Sequence, residues 1–324
     1  MVNLSVDLCG IKLKNPLILA SGIMGVSGEL LRKVALSGAG AVITKSIGVE
    51  PRRGYNPPVI EEVGPGLLLN AMGLPNPGCE AFSKEIEIVK ETKVPIIANI
   101  FGFTKSELIK VAKRMEKAEV DMLEINLSCP HRMKKGKRSL AFIGQDPERT
   151  KKITKAVKRA VDIPIMVKLT PDVTDIGAVA EAAVEAGADA ISAINTVRAL
   201  RIDIERKAPV LSNIIGGMSG WAIKPIAVRC VAEITLRMRD RDFDVPVVGA
   251  GGIWSGEDAI EMIMAGAKCV QIGTAILYRE LTIFKEVAKE MQDFMARNEY
   301  ENLNDLVGLA LEEIRRVKKW YTLE

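Results

Sequence analysis

The chain has 324 residues, of which 48% are hydrophobic and 27% are charged, with a formal net charge of +4 at pH 7. That length suits one large α/β domain, so we expect a single domain over residues 1–324. The small net charge argues against a nucleic-acid surface. His131 is the single histidine, which argues against histidine metal sites and Ser-His-Asp chemistry.

The cysteines indicate the redox setting of the protein. They form no Cys-x-x-Cys pair and no zinc spacing. Their odd number, an N-terminus without a signal-peptide pattern and the lack of an apolar run of membrane-span length predict a cytoplasmic protein with reduced thiols. The five cysteines stand at positions 9, 79, 129, 230 and 269.

The chain opens with a predicted hairpin over residues 3–13, where apolar and polar residues alternate and Gly10 lies near the turn. A repeating unit then begins, made of a short apolar strand, a polar or glycine loop and an amphipathic helix. The strand candidates are residues 17–20, 41–44, 95–98, 122–125, 165–169, 190–194, 245–249 and 269–272.

The helix candidates alternate with these strands. Ser27, Thr104 and Asp146 stand at predicted N-caps. Eight strand–helix units favour a closed (β/α)8 TIM barrel with an N-terminal β-hairpin and an extra C-terminal helix, and an open doubly wound sheet is the alternative. The predicted helices cover residues 28–37, 79–92, 105–118, 147–161, 175–186, 222–238, 256–265, 280–296 and 303–317.

Polar or glycine residues follow nearly every predicted strand. Buried lysines and asparagines cost free energy unless they find partners, so the whole set indicates a functional site. Three long loops, at 45–78, 127–146 and 195–221, leave the same face of the predicted barrel, where active sites of such barrels lie. The residues after the strands are Ser21, Lys45, Ser46, Asn99, Asn126, Lys168, Asn195, Thr196, Gly251, Gly252, Gly273 and Thr274.

Two glycine-containing loops indicate a phosphate site. Residues 249–253 end the seventh predicted strand, and Gly273 with Thr274 ends the eighth. Backbone N–H groups of these loops can converge on a phosphate. A phosphate-tailed planar cofactor would then place its ring over the barrel mouth, where Lys168 could stabilise developing negative charge. FMN fits these requirements.

The segment 126–131, Asn-Leu-Ser-Cys-Pro-His, puts a thiol just past the fourth predicted strand. Pro130 forces the chain to leave the strand direction. On this segment alone, Cys129 fits a reacting group at the barrel mouth and also fits a small buried apolar residue.

Taken together, these residues resemble the class 1, FMN-dependent dihydroorotate dehydrogenases, and most closely their type 1B catalytic subunits. The resemblance covers nearly the whole chain, and its specificity comes from the order and spacing of its segments. Those segments are 44–46, 50–52, 70–78, 126–130, 167–171, 194–196, 216–220 and 249–252.

The resemblance implies that (S)-dihydroorotate is oxidised to orotate in pyrimidine biosynthesis. Hydride would pass from C6 to FMN and a proton from C5 to Cys129, under a lid formed by residues 130–144. The implied substrate-binding residues are Lys45, for the carboxylate, with Asn70, Ala71, Met72, Gly73, Leu74, Asn126, Asn195 and Thr196. The implied FMN contacts are Ser21, Lys45, Ser46, Asn99, Asn126, Lys168, Ile194, Gly220, Gly251, Gly252, Gly273 and Thr274.

The resemblance also implies a homodimer and a second, electron-transfer subunit that carries FAD and a 2Fe-2S cluster. The two kinds of subunit would form a heterotetramer that passes electrons to NAD. The chain itself has no cysteine cluster and no dinucleotide fingerprint, so those groups would belong to the partner. Fumarate as the oxidant, as in type 1A enzymes, is an alternative.

Three other functions are alternatives for this sequence. His131 stands where many bacterial members have asparagine, and segments 128–131 and 144–148 also resemble the pyrimidine-reducing domain of dihydropyrimidine dehydrogenase. That enzyme would act on uracil or thymine with Cys129 as an acid, but segments 70–78 and 201–203 favour dihydroorotate. An inactive FMN-binding barrel is disfavoured because Cys129 and Lys45 are both present. A phosphate-binding barrel isomerase would not need the lysine and amide set.

Overall fold

The computed structural model describes residues 2–127 and 141–321, apart from the side chains of 141, 142 and 318–321. The predicted hairpin is present as β1 (Val6–Leu8) and β2 (Ile11–Leu13), which pair antiparallel. Gly10 occupies the turn with φ +86°, a conformation that glycine adopts without strain. Cys9 Sγ donates to Asp189 O at 3.2 Å, just before a barrel strand begins. The hairpin therefore covers the N-terminal end of the barrel.

Eight parallel strands close into a barrel in chain order, and the (β/α)8 prediction is confirmed. Pairing of the last strand with the first, through Val270 and Leu17, rules out the open sheet. The strands are apolar because helices cover their outer face and side chains fill the interior. They are β3 (Leu17–Leu19), β4 (Ala41–Ile43), β7 (Ile96–Ile100), β8 (Met122–Asn126), β9 (Ile165–Leu169), β10 (Ala190–Ala193), β15 (Val247–Ala250) and β16 (Ala267–Ile272).

Amphipathic helices surround the barrel. Ser27, Thr104 and Asp146 cap three of them as predicted, each accepting a backbone N–H three residues ahead. None of the helices in the described ranges is long and apolar enough to span a membrane. The helices are α1 (Gly28–Leu36), α2 (Cys79–Lys90), α3 (Lys105–Lys117), α4 (Ala141–Gly144), α5 (Pro147–Lys158), α6 (Ile176–Glu185), α7 (Lys224–Asp240), α8 (Gly256–Met264), α9 (Ile276–Arg279), α10 (Ile283–Arg297) and α11 (Leu311–Tyr321).

Two helix predictions need correction near the C-terminus. The predicted helix 303–317 is a 3-10 turn, Leu303–Leu306, followed by a break and then by α11. Gly308, with φ +74°, interrupts the helical path. The predicted helix 280–296 starts late, at Ile283, because Glu280 has φ +55° and cannot belong to a right-handed helix. A 3-10 turn, Trp221–Ile223, likewise precedes α7.

Two of the long loops form strands that the sequence did not predict. The loop after β4 contains β5 (Ile60–Gly64) and β6 (Leu67–Asn70), and the loop after β10 contains β11 (Val197–Ala199) and β14 (Gly216–Gly220). These four strands form one sheet in the order β11-β14-β6-β5, which we call the mouth sheet. A small ribbon, β12 (Ile202–Asp203) with β13 (Ala208–Pro209), extends from it.

Candidate active site at the barrel mouth

A cavity of about 320 Å³ opens at the C-terminal ends of the barrel strands. One wall consists of residues that follow the strands, and the mouth sheet supplies another through Leu68, Asn70 and Ser219. Barrel enzymes place their active sites at this end, and the volume is typical of a small-molecule pocket. The mouth sheet therefore encloses the site on a side that the barrel alone leaves open.

Most of the predicted site residues line this cavity, although they come from many separate parts of the chain. The structure thus brings together the residues expected after the strands and the loop 70–74. The predicted residues in the lining are Ser21, Lys45, Ser46, Asn70, Met72, Gly73, Leu74, Asn126, Lys168, Ile194, Asn195, Thr196, Gly220, Gly251, Gly252, Gly273 and Thr274.

Two of the predicted site residues that the structure describes, Ala71 and Asn99, are not part of the lining. Ala71 is fully buried in a small apolar cluster with Leu69 of β6 and Leu211. Asn99 is also fully buried, and its Oδ1 atom has no hydrogen-bond partner among the described residues. Cys129, the predicted base, lies outside the described residues.

Two lysines give the cavity a positive charge. Lys45 is 8% exposed, and its Nζ donates to Gly22 O at 3.2 Å. Lys168 is 5% exposed, and its Nζ donates to Gln271 Oε1 at 2.5 Å. Burial lowers the pKa of Lys168 below its ordinary value, while the charge of Glu124 opposes that shift. A cavity with two buried cations is suited to an anionic ligand.

A polar network reaches from the cavity wall into the barrel interior, and most of its members are absent from the predicted site residues. Glu124 on β8 is fully buried and accepts hydrogen bonds from Ser192 Oγ, Gln271 Nε2 and Asn99 Nδ2. Attention to residues after the strands finds Asn99 but misses Glu124, Ser192 and Gln271, because these three lie within the strands. The available signal is a charged or amide residue inside an otherwise apolar run, as with Glu124 in Met-Leu-Glu-Ile-Asn.

The glycines at the strand ends differ in why they are needed. Gly252 has φ +76°, and a Cβ atom there would lie 2.4 Å from Lys224 Cβ. That position requires glycine for the fold itself. A Cβ on Gly273 would meet Ala20 Cβ at 3.4 Å, an ordinary contact. Since Gly273 lines the cavity, its missing side chain leaves space for a ligand.

Two amides of the lining are held by hydrogen bonds. Asn126 Nδ2 donates to Ser46 Oγ at 3.1 Å, and Asn70 Nδ2 donates to Gly217 O at 3.1 Å. Each bond fixes the plane of its amide, so both groups present a defined donor and acceptor pattern. Such fixed polar groups in a largely apolar pocket orient a planar polar ligand.

Known proteins are similar to this chain in sequence and in fold. The profile of the dihydroorotate dehydrogenase family matches residues 3–295. The protein of Methanocaldococcus jannaschii named dihydroorotate dehydrogenase B (NAD(+)), catalytic subunit, is 49% identical over 313 residues, which covers 95% of this chain and 98% of that protein. The protein of the same name from Pyrococcus abyssi is 47% identical over 308 residues, or 95% of this chain and 99% of that protein.

Comparison with solved structures supports the same fold. The crystal structure of DHODH from Eimeria tenella in complex with ferulenol superposes with a TM-score of 0.82 at 24% sequence identity. The superposition covers 95% of this chain and 88% of that one. With the family profile spanning most of the sequence, the chain belongs to the dihydroorotate dehydrogenase family.

Proposed function

We propose that this protein is the catalytic subunit of an NAD-linked dihydroorotate dehydrogenase, which oxidises (S)-dihydroorotate to orotate with FMN as its bound flavin. The observation that carries the proposal is one cavity that combines two buried lysines with the amides of Asn70, Asn126 and Asn195. Family membership and the names of the relatives from two archaeal genera support it.

The residues of the cavity fit FMN. Gly251, Gly252 and Gly273 leave backbone exposed where a phosphate needs N–H donors. When bound, FMN supplies the hydride acceptor for the oxidation. Lys168 would stabilise the negative charge of the reduced flavin. The proposed FMN contact of Asn99 rests on its Oδ1 atom, which has no hydrogen-bond partner among the described residues.

The remaining polar groups fit dihydroorotate, a ring with amide N–H and C=O groups and one carboxylate. Asn70, Asn126 and Asn195 supply amides that complement such a ring edge. Lys45 supplies a cation for the carboxylate, and Thr196 adds a hydroxyl. Uracil and thymine lack the carboxylate, so they lack the group that Lys45 would bind in dihydroorotate.

Cys129 is the proposed base, for which the sequence is the evidence. The described chain before its segment lies at the cavity, where Asn126 lines the wall. The described chain after it returns to Leu127, whose O accepts from Gly144 N at 3.2 Å. A thiol acts as a base only in its thiolate form. We therefore propose that Cys129 takes the C5 proton as the hydride leaves C6.

We further infer that electrons leave through a second subunit with FAD and a 2Fe-2S cluster. The relatives are named catalytic subunits of NAD(+) enzymes, and the described part of this chain holds no group of three metal-ligating side chains. Trp221, Leu277 and Tyr278 are 55%, 56% and 43% exposed. Because Leu277 also lines the cavity, an apolar partner that covers this surface would lie close to the flavin.

A second exposed apolar surface suits the proposed homodimer. Leu200, Ile202 and Ile204, at and beside the β12–β13 ribbon, are 49%, 56% and 79% exposed. Single exposed apolar residues are ordinary, whereas exposed apolar residues that cluster mark candidate interaction surfaces. Two catalytic chains and two electron-transfer chains would then form the heterotetramer.

Anaerobic mixing of the purified protein with dihydroorotate tests the proposal, with the visible absorbance of FMN as the readout. We expect dihydroorotate to bleach the flavin and dihydrouracil, which lacks the carboxylate, to leave it oxidised. Bleaching by dihydrouracil alone would instead indicate a dihydropyrimidine dehydrogenase activity. A protein that holds FMN but reacts with neither compound would contradict the substrate assignment.

A further inference from the structure

The barrel interior below the cavity contains a buried carboxylate surrounded by hydrogen-bond donors. Glu124 Oε1 accepts from Ser192 Oγ at 2.8 Å and from Gln271 Nε2 at 2.8 Å. Glu124 Oε2 accepts from Asn99 Nδ2 at 2.5 Å. A protonated carboxyl would need an acceptor for its hydrogen, whereas a carboxylate needs donors alone. All three hydrogen-bond partners of Glu124 thus act as donors to its carboxyl oxygens.

Gln271 connects this carboxylate to the lysine in the cavity wall. Its Oε1 atom accepts from Lys168 Nζ at 2.5 Å, and its Nε2 atom donates to Glu124. Lys168 Nζ also lies 3.8 Å from Glu124 Oε1. The ammonium group is thus held by a bridging amide on β16 and a counter-charge on β8, strands that lie across the barrel from each other.

Few other charged groups face Lys168. Lys45 lines the same cavity, and its Nζ is bonded to Gly22 O. Asp172 follows β9, and its carboxylate accepts from Thr170 Oγ1 at 3.3 Å. Among the described residues, Glu124 is the acidic side chain within 4.0 Å of the Lys168 ammonium. Among the charged groups that the structure describes, this one neighbour therefore has the main influence on the charge of Lys168.

We propose that Glu124 is a positioning residue, which keeps the Lys168 ammonium charged and fixed at the cavity wall in both redox states of the flavin. The inference rests on the proposed function, because it assumes that FMN occupies the cavity. With Lys168 already charged, reduction of the flavin meets a preformed positive group. Without Glu124, the lysine would have to gain a proton when the flavin is reduced.

The direction of the effect follows from the environment of the lysine. Burial lowers the pKa of Lys168 and Glu124 raises it, so removal of the carboxylate leaves the lowering unopposed. In the oxidised protein Lys168 would then be neutral above that lowered pKa. Negative charge on the reduced flavin would raise the pKa again. Between the lowered pKa of the oxidised protein and the raised pKa of the reduced protein, flavin reduction takes up one additional proton. The equilibrium constant for reduction therefore falls by a further factor of about ten for each unit by which the pH rises.

The test is the flavin midpoint potential of the holoprotein, measured by equilibration with reference dyes between about pH 6 and pH 9, the range below the ordinary lysine pKa. We compare the wild type, Glu124→Gln and Ser192→Ala. We expect the midpoint potential of Glu124→Gln to fall more steeply with pH than that of the wild type over part of this range, as uptake of one additional proton requires. Ser192→Ala removes one neutral donor and keeps the charge of Glu124, so its slope should equal that of the wild type.

Two results would overturn the inference. One is a Glu124→Gln protein that retains FMN and whose potential changes with pH in parallel with the wild type. The other needs no variant. If the midpoint potential of the wild type itself changes with pH by the slope of the additional proton in this range, Lys168 is not held charged. A wild-type protein without any bound flavin would remove the proposed function, and the inference with it.

Discussion

Asn70 Nδ2 donates to Gly217 O at 3.1 Å, although 147 residues separate the two in the chain. The same residues are register partners in the mouth sheet. This contact joins the loop after β4 to the loop after β10, and Asn70 also faces the cavity. A Cβ atom on Gly217 would lie 2.0 Å from Thr196 Oγ1. Thr196 therefore also lies close to this sheet. The positions of two proposed substrate contacts, from two distant loops, are therefore set by one sheet.

Lys45→Ala should weaken the binding of orotate more than that of uracil. A hydrogen bond to a charged group contributes about 1.5–3 kcal/mol, which corresponds to roughly 10- to 100-fold in affinity. Uracil has no carboxylate, so its affinity should change much less. Titration of the flavin absorbance with each ligand measures both values. Equal losses for the two ligands would contradict the carboxylate role.

The barrel could be predicted from the sequence because its strands are continuous apolar runs bounded by glycine and polar residues. The ends of those strands also predicted the cavity lining, since parallel strands deliver their C-terminal ends to one face. The mouth sheet could not be predicted in this way. Its strands are short, and β6 pairs with β14 far along the chain. Local periodicity carries no information about such a partner.

The interior network was hidden for a different reason. Glu124 and Gln271 lie within strands that read as apolar, and a single polar residue there does not change the pattern. Their importance depends on one another across the barrel, as the Gln271 bridge between Lys168 and Glu124 shows. Such a relationship requires coordinates, because the residues are brought together by barrel closure.

Cys129→Ser should reduce turnover at neutral pH while FMN remains bound. A positioned general base contributes about 10²- to 10⁴-fold to the rate, and a serine hydroxyl is a much weaker acid than a thiol. Some activity should return as the pH rises. Steady-state rates with a dye acceptor across pH measure the effect. Cys9→Ser is the control, since Cys9 lies at the opposite end of the barrel; a Cys129 variant as active as this control would exclude Cys129 as the base.

Gly273→Ala and Gly252→Ala should separate flavin binding from stability. An alanine at Gly273 makes an ordinary 3.4 Å contact with Ala20 and adds a methyl group at the cavity lining. We expect its FMN affinity to fall by about tenfold, or about 1.4 kcal/mol. The apoprotein should be as stable as the wild type. Gly252→Ala meets Lys224 in a strained backbone conformation and should also destabilise the apoprotein by about 1–3 kcal/mol. Flavin titration and urea unfolding give the two quantities. Unchanged FMN affinity in Gly273→Ala would contradict a phosphate site there.

Trp221→Ala should weaken binding of the proposed electron-transfer partner without affecting dihydroorotate oxidation. An exposed tryptophan at the centre of an interface can contribute about 2 kcal/mol or more, or roughly 30-fold in affinity. NAD reduction by the reconstituted complex should fall, while dye reduction by the catalytic chain alone should not. Leu36→Ala is the matched control, because Leu36 on α1 is 60% exposed. Equal NAD activity in both variants would place the partner on another surface.

Thr154→Val should stabilise the protein, and Thr150→Val should destabilise it. Both side chains are fully buried on α5, four residues apart. The Oγ1 atom of Thr154 has no hydrogen-bond partner in the described part of the chain, so a methyl group in its place removes an unsatisfied polar atom. Thr150 Oγ1 donates to Ile143 O at 3.1 Å, and valine would remove that bond. Each change is expected to shift the free energy of unfolding by about 1 kcal/mol, in opposite directions. Urea unfolding of the two variants beside the wild type gives the sign, and a loss of stability in Thr154→Val would show that its hydroxyl has a partner after all.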